Sequence, residues 1–351
     1  LPERLLEMKV FFLGYPGNMG GANTECWHTV KLLRGAGVEV DLIPTWGSDP
    51  PFAEKLAAIG CTTHKATPDT LSDVPGLPGS IVIGMCNKHA LAMLPRLRAM
   101  SCPLVWVNCM TFLFPQEKQL FREHGPADAF VFQSEFQRSE LAPLLEKIGC
   151  TPSMGHLIHG AFDPADFPFE PRPHESGEPF VIGRLSRPDP DKWSSSLWPI
   201  LQGVPYTARR ACVMGWNKKT QQKAGAPPKW AECHPPQSLP VPMFLGRCHA
   251  MLGLNGGARE NWPRVGLEAM ACGVPIVAQN QWGWREMVDH GHTGYLAAND
   301  TEMQFYLAKL AYDDDLRQSM AAEARERLWD ISSPEVLWPK WQAMLRSIGG
   351  D

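Results

Sequence analysis

No apolar run in this chain of 351 residues approaches the ~20 residues a helix needs to cross a bilayer, so no transmembrane segment is expected. Neither sign of charge dominates. The net charge is −4 and the isoelectric point about 6.3, and general nucleic-acid binding is therefore not expected. The ten cysteines include no C-x-x-C pair. Cys233-His234 and Cys248-His249 each put a thiol beside an imidazole, but neither has the partner spacing of a zinc site, and no metal is expected. Scattered singly in a chain without an export signal, the thiols read as reduced and the protein as cytoplasmic, with a peripheral place at the inner membrane surface left open. The opening LPERLLEMKVFFLG has too short an apolar core for a signal peptide, and Met8-Lys9 ahead of an apolar strand looks like a natural start. The dinucleotide fingerprint G-x-G-x-x-G is missing, which lowers the case for an oxidoreductase. Repeats and low-complexity stretches are missing too.

What is present is a 44% hydrophobic chain, longer than one domain usually runs, in which strand-like and helix-like stretches alternate. Strands are predicted at 9–13, 38–43, 81–83, 104–107 and 129–132, with a helix over 23–34 between the first two. Such alternation predicts a parallel sheet covered by helices. Pro-rich punctuation at 167–173 marks a linker, and the alternation restarts with Phe180-Val181-Ile182-Gly183. The expected organisation is α/β, with domains over 8–172 and 179–325 and C-terminal helices over 326–351.

The most informative stretch runs from Glu260 to Asp300. It predicts a loop, a helix with Pro263 at its first position, a stop at Gly273 and a buried strand at Pro275-Ile276-Val277-Ala278. One carboxylate, Glu260, precedes the helix start and a second, Glu268, lies inside the helix. Free N–H groups and the helix dipole favour a phosphate between them. A phosphate flanked by two hydroxyl-binding carboxylates is the outline of a nucleotide sugar.

The same residues carry a resemblance. Glu260, Glu268-Ala269-Met270-Ala271, Gly273, Pro275, Gly283, Glu286 and Gly291-His292-Thr293-Gly294-Tyr295-Leu296 stand in the order of the E-x7-E region of the retaining family-4 glycosyltransferases, the glycosyl transferases of group 1. Gly183-Arg184-Leu185 with Lys192 is similar to that family's G-R-L-x-x-x-K-G loop, although the spacing is longer and Trp193 stands where glycine is usual. Gly20-Gly21-Ala22-Asn23, at the end of a glycine-rich loop starting at Gly14, looks like its G-G-x-E opening. The 159–163 turn resembles its N-G-V-D turn with His159 for Asn, and reads as structural.

The resemblance implies a GT-B fold of two Rossmann-like domains facing a central cleft, with the C-terminal helices crossing back to the first. It implies transfer of a sugar from a nucleoside diphosphate, UDP before GDP, to an unidentified acceptor with retention of configuration. The donor is a co-substrate, and no cofactor is implied. Glu260 would face the sugar hydroxyls, Glu268 the ribose diol, and Arg184 with Lys192 the diphosphate, whose growing negative charge fixed cations stabilise in place of a metal. Gly20, Gly21, Arg187, Arg264 and Val265 would complete the donor contacts. Departures exist as well. The chain has Val107-Asn108-Cys109-Met110 where many relatives place a strand-end histidine, which leaves Asn108 and the nearby His89 as candidates for sugar or acceptor contact. Pro263 replaces a glycine at the helix mouth and removes one phosphate donor. A nucleotide-sugar epimerase or hydrolase of this fold, or a catalytically silent nucleotide-sugar-binding protein, are the alternatives.

Overall fold

The structure, a computed structural model, describes residues 8–14, 20–45 and 50–349. Residues 15–19 of the glycine-rich loop, and 46–49 after the second strand, lie outside that set.

The chain divides into two units, the first comprising Leu1–Asp163 with Ser332–Asp351 and the second Pro164–Ile331. The first is built on seven strands, β1 (Lys9–Leu13), β2 (Glu39–Ile43), β3 (Thr62–Thr63), β4 (Ile81–Met85), β5 (Leu104–Val107), β6 (Ala129–Phe132) and β7 (Gly155–Leu157), in the order β3-β2-β1-β4-β5-β6-β7. Six more form the second, β8 (Phe180–Leu185), β9 (Arg209–Met214), β10 (Ala231–His234), β11 (Ala250–Gly253), β12 (Ile276–Gln279) and β13 (Gly294–Ala297), in the order β10-β9-β8-β11-β12-β13. Every named pairing in both sheets is parallel. Strands such as Leu-Val-Trp-Val in β5 and Ala-Phe-Val-Phe in β6 are buried at every position, as a parallel sheet covered on both faces requires. In each unit the winding reverses beside the first strand, between β1 and β4 and again between β8 and β11. These are the places where open α/β sheets bind ligands, beyond the carboxyl ends of the strands.

The partition differs from the sequence expectation at both joints. Residues 164–172 belong to the second unit rather than the first: the Glu170 N–H donates to Cys272 O (3.4 Å) and Arg172 Nη1 to Arg247 O (2.6 Å). The helix Asp314–Ser332 stays with the second unit up to Ile331. Only the helix Pro334–Gly349 joins the first, where Leu337, Trp341, Met344 and Leu345 are buried in one core with Val10, Val30, Leu33 and Ile83. The 159–163 turn is tied to the helix Gly21–Gly35: Glu25 Oε1 accepts from the Ala161 N–H (2.9 Å), His28 Nδ1 from the Asp163 N–H (2.9 Å), and Lys31 pairs with Asp163. All ten cysteines are free thiols.

Candidate active site

Three predicted residues meet at the reversal point of the second sheet. Arg184 is the penultimate residue of β8, Lys192 ends the loop after it, and Glu260 lies in the loop after β11. Lys192 Nζ is 2.8 Å from Glu260 Oε1, and the same oxygen accepts from Asn255 Nδ2 at 2.8 Å. Asn255 closes the group from the other side, its Oδ1 accepting from Arg184 Nη2 at 3.2 Å. One asparagine thus faces a cation with its oxygen and a carboxylate with its nitrogen. The Asn255 backbone N–H donates in turn to Gln279 Oε1 (3.0 Å) at the end of β12, which ties the main chain that carries Asn255 to the next strand.

The loop of 186–193 is held by its own main chain. Asp191 O accepts from the Gly256 and Ala258 N–H groups (3.1 and 2.9 Å), and Arg187 O accepts from Trp193 Nε1 (2.8 Å). Trp193, found where the family pattern has glycine, is fully buried in the second core and is the loop's anchor. Gly256 has no Cβ for a steric reason, since one built there would collide with the Trp193 carbonyl.

Arg184 is buried among protein acceptors. It is 3% exposed, and its guanidinium donates to Leu185 O (2.9 Å), Lys192 O (2.6 Å) and Asn255 Oδ1 (3.2 Å) while lying over the Trp193 ring. Burial pulls its pKa down to about 10, with Glu260 acting in the opposite direction. The side chain expected to meet a diphosphate is spent on protein acceptors and holds Lys192 in place. Arg187 is half exposed and pairs with Asp189 (3.3 Å).

The helix Arg264–Cys272 follows directly. Pro263 is its N-cap, with extended ψ of 111°, rather than its first turn, and no side chain caps the start. The first turn contains no carboxylate, so its dipole is open to an anion, and Arg264 adds a cation there. The helix ends where expected: Gly273 is left-handed (φ 76°) and the Val274 N–H reaches back to Ala269 O (2.9 Å). Leu267, Ala269, Met270 and Ala271 are buried, while Val265 and Glu268 are half-buried. Burial raises the Glu268 pKa, and Arg264, four residues back, partly opposes the shift.

The other candidates belong to the first unit. Gly20 (φ 90°) precedes the helix Gly21–Gly35, where its carbonyl accepts from the Asn23 and Thr24 N–H groups. A cavity of about 310 Å³ opens at that sheet's reversal point, lined among others by Leu13, Asn23, Thr45, Cys86 and Asn87. His89 and Asn108 are not among the residues that line it. Asn108 is 4% exposed and builds a turn, its Nδ2 donating to Phe112 O (3.1 Å) and its Oδ1 accepting from the Met110 N–H (2.9 Å). His89 sits in the helix Lys88–Ala92, whose cap is Asn87. Asn87 and Asn255, both missed in the sequence, are asparagines just past a buried strand; Asn255-Gly256-Gly257 after the apolar β11 was the available signal.

Residues 209–327 match the family model of glycosyl transferases, group 1. A stretch of 88 residues is 36% identical to N-acetyl-alpha-D-glucosaminyl L-malate synthase of Bacillus anthracis, and a match of 88 residues is 27% identical to the capsular polysaccharide biosynthesis glycosyltransferase CapM of Staphylococcus aureus. Each match spans 24% of this chain and 23% of the relative. Among solved structures, Anabaena HepE in complex with UDP and glucose aligns with a TM-score of 0.73 at 18% identity, over 97% of this chain and 100% of that one. Sucrose-phosphate synthase of Thermosynechococcus elongatus aligns with a TM-score of 0.70 at 14% identity, over 98% of each. The fold is GT-B, with two Rossmann-like parallel-sheet units.

Proposed function

We propose that the protein is a glycosyltransferase that moves a sugar from a nucleoside diphosphate to a hydroxyl acceptor with retention of configuration. The observation that supports this most is the group of Lys192, Glu260, Asn255 and Arg184 at the reversal point of the second sheet, directly ahead of a helix carrying Glu268. In this reading Lys192 and the start of the helix take the diphosphate, with Arg264 and Val265 beside them. Glu260 faces the sugar hydroxyls and exchanges its contact with Lys192 for them, and Glu268 holds the ribose diol. Arg184 is a positioning residue that fixes Lys192 and Asn255. The first unit, with its cavity lined by Ala22, Asn23 and Asn87, is the acceptor side. UDP, the nucleotide bound in the HepE structure, is the first choice of base.

In the reaction the bond from the anomeric carbon to the diphosphate oxygen breaks and the nucleoside diphosphate leaves. The acceptor oxygen bonds that carbon from the same face, and its proton passes to the departing phosphate, so no separate protein base is assigned. Fixed cations that meet charge as it develops lower the barrier rather than merely tightening binding.

Incubation with a panel of UDP and GDP sugars, with and without candidate hydroxyl acceptors, tests the reading. Acceptor-dependent release of nucleoside diphosphate is expected. Equal release without acceptor would identify a hydrolase, an isomerised nucleotide sugar an epimerase, and binding without turnover a silent binder.

A further inference from the structure

We propose that Cys212, Glu232 and His234 form a binding site for a divalent transition-metal ion, Zn²⁺ foremost, at the edge of the second sheet. The three come from adjacent parallel strands, β9 and β10, paired so that Cys212 lies opposite Glu232 and Met214 opposite His234. Side chains two apart on a strand share a face, so Glu232 and His234 lie on one side of β10. The Cys212 sulfur, a Glu232 carboxylate oxygen and a His234 ring nitrogen all lie within 4.8 Å of one another.

The donor set is one of thiolate, imidazole and carboxylate, the ligands of a tetrahedral zinc site with one position left over. A second observation points to a ligand. His234 Nε2 is buried and has no hydrogen-bond partner among the described residues, although it lies 2.9 Å from Glu232 Oε1. A buried ring nitrogen that faces a carboxylate oxygen without a well-directed hydrogen bond to it is costly unless something else fills the gap. A metal ion between the imidazole and the carboxylate does so.

The surroundings suit a thiolate at Cys212. The Cys248 thiol, close to Cys212, donates to Phe244 O at 3.4 Å and leaves the Cys212 sulfur open to an ion. Gly183, beside Cys212 in the sheet, leaves room for Cys248, because a Cβ there would strike its sulfur. Arg247 Nη1 approaches Glu232 Oε1 at 3.3 Å, but it is half exposed and can turn to water when an ion takes that oxygen. Since β10 is the edge strand, ions reach the site without opening the core. Cys233 faces the other way, packed against the buried cluster of Trp193 and Val213, and serves as an internal control. The sequence hides this site because its donors are brought together by strand register rather than by a short motif.

The test is titration of the untagged, reduced, full-length protein with Co²⁺, followed by displacement with Zn²⁺. One ion per chain is expected, with a thiolate-to-cobalt charge-transfer band and the visible bands of tetrahedral cobalt. C212S should abolish the charge-transfer band, and C233S should leave it unchanged. H234A, at the sheet edge, should weaken binding at least ~10-fold. Thermal melts in EDTA establish that each variant is folded, and Zn²⁺ should raise the melting temperature of the parent but not of H234A. No charge-transfer band in the parent would overturn the proposal, as would an unchanged band and affinity in folded C212S. If C212S fails to fold, unchanged affinity in H234A overturns it instead.

Discussion

At the residue scale, the informative contrast is between two cations in one loop. Arg184 is buried and satisfies three acceptors, whereas Lys192 makes a single partly exposed pair with Glu260. Arg184→Ala should therefore cost about 3 kcal/mol in urea denaturation, because it strands acceptors out of reach of water. Lys192→Ala should change stability by under ~1 kcal/mol yet weaken nucleoside diphosphate much more than nucleoside. Equal loss for both ligands in Lys192→Ala would mean that the loop, not the charge, had been lost. The glutamates separate differently. Glu260→Ala should leave nucleoside diphosphate affinity nearly intact while greatly reducing turnover, and Glu268→Ala should weaken nucleotide and nucleotide sugar alike, as affinity and rate measurements on both would show.

Glu268 also makes a prediction about pH. Its folded pKa is raised above the ordinary 4.5, so the folded state holds that proton more tightly than the unfolded chain does. Its contribution is most favourable below pH 4.5 and is lost as pH rises through the folded value, leaving the burial cost of the carboxylate in force at neutral pH. Glu268→Gln should accordingly be more stable than the parent at pH 7, with the gap closing in denaturant titrations at pH 4.5 and below. A gap that widened on acidification would contradict the assignment. That a half-buried carboxylate persists at a folding cost fits a group kept for binding.

At the scale of elements, the site depends on how closely the loop of 186–193 approaches the turn after β11. Gly256→Ala should push the Trp193 carbonyl away, cost about 1–3 kcal/mol and reduce nucleotide affinity, while the helix Arg264–Cys272 keeps its amide protection in hydrogen exchange. The central strands of the first sheet, with β8 and β12 of the second, were legible because burial on both faces leaves near-continuous apolar runs, whereas the interior strands β9 and β11 were not singled out. The edge strand β10, Ala-Glu-Cys-His, and the two-residue β3 carry too few apolar residues to announce themselves. The helix after Pro263 was legible too, misplaced by one residue, since proline is compatible with both the cap and the first turn.

At the scale of the whole molecule, a nucleoside diphosphate should raise thermal stability without added divalent metal, by about 2.7 kcal/mol at one hundred times its dissociation constant. EDTA should strip an ion from the Cys212 site and lower the melting temperature of the metal-loaded protein, but the shift produced by the nucleotide should survive; its loss would show that the donor site needs a metal. The C-terminal helix makes a separate prediction. Trp341 is 2% exposed in the first unit's core, so Trp341→Ala should cost about 3–5 kcal/mol, read as lowered protection in the strands Lys9–Leu13 and Ile81–Met85.

By itself the sequence determined the α/β class, the division into two units and the helix bearing Glu268, because hydrophobic period, glycine and proline punctuation and local capping act over a few residues at a time; that both units are Rossmann-like came from the resemblance. It also named Glu260, Lys192 and Arg184 as members of one site through an ordered motif. Which of them is buried among protein acceptors and which stays partly exposed was decided only by tertiary structure. Burial, and the choice of hydrogen-bond partner, depend on groups far away in the chain: Asn255 stands 71 residues from the Arg184 it holds. The same reason hid the cluster at Cys212, whose donors are neighbours only because two parallel strands adopt one register out of several.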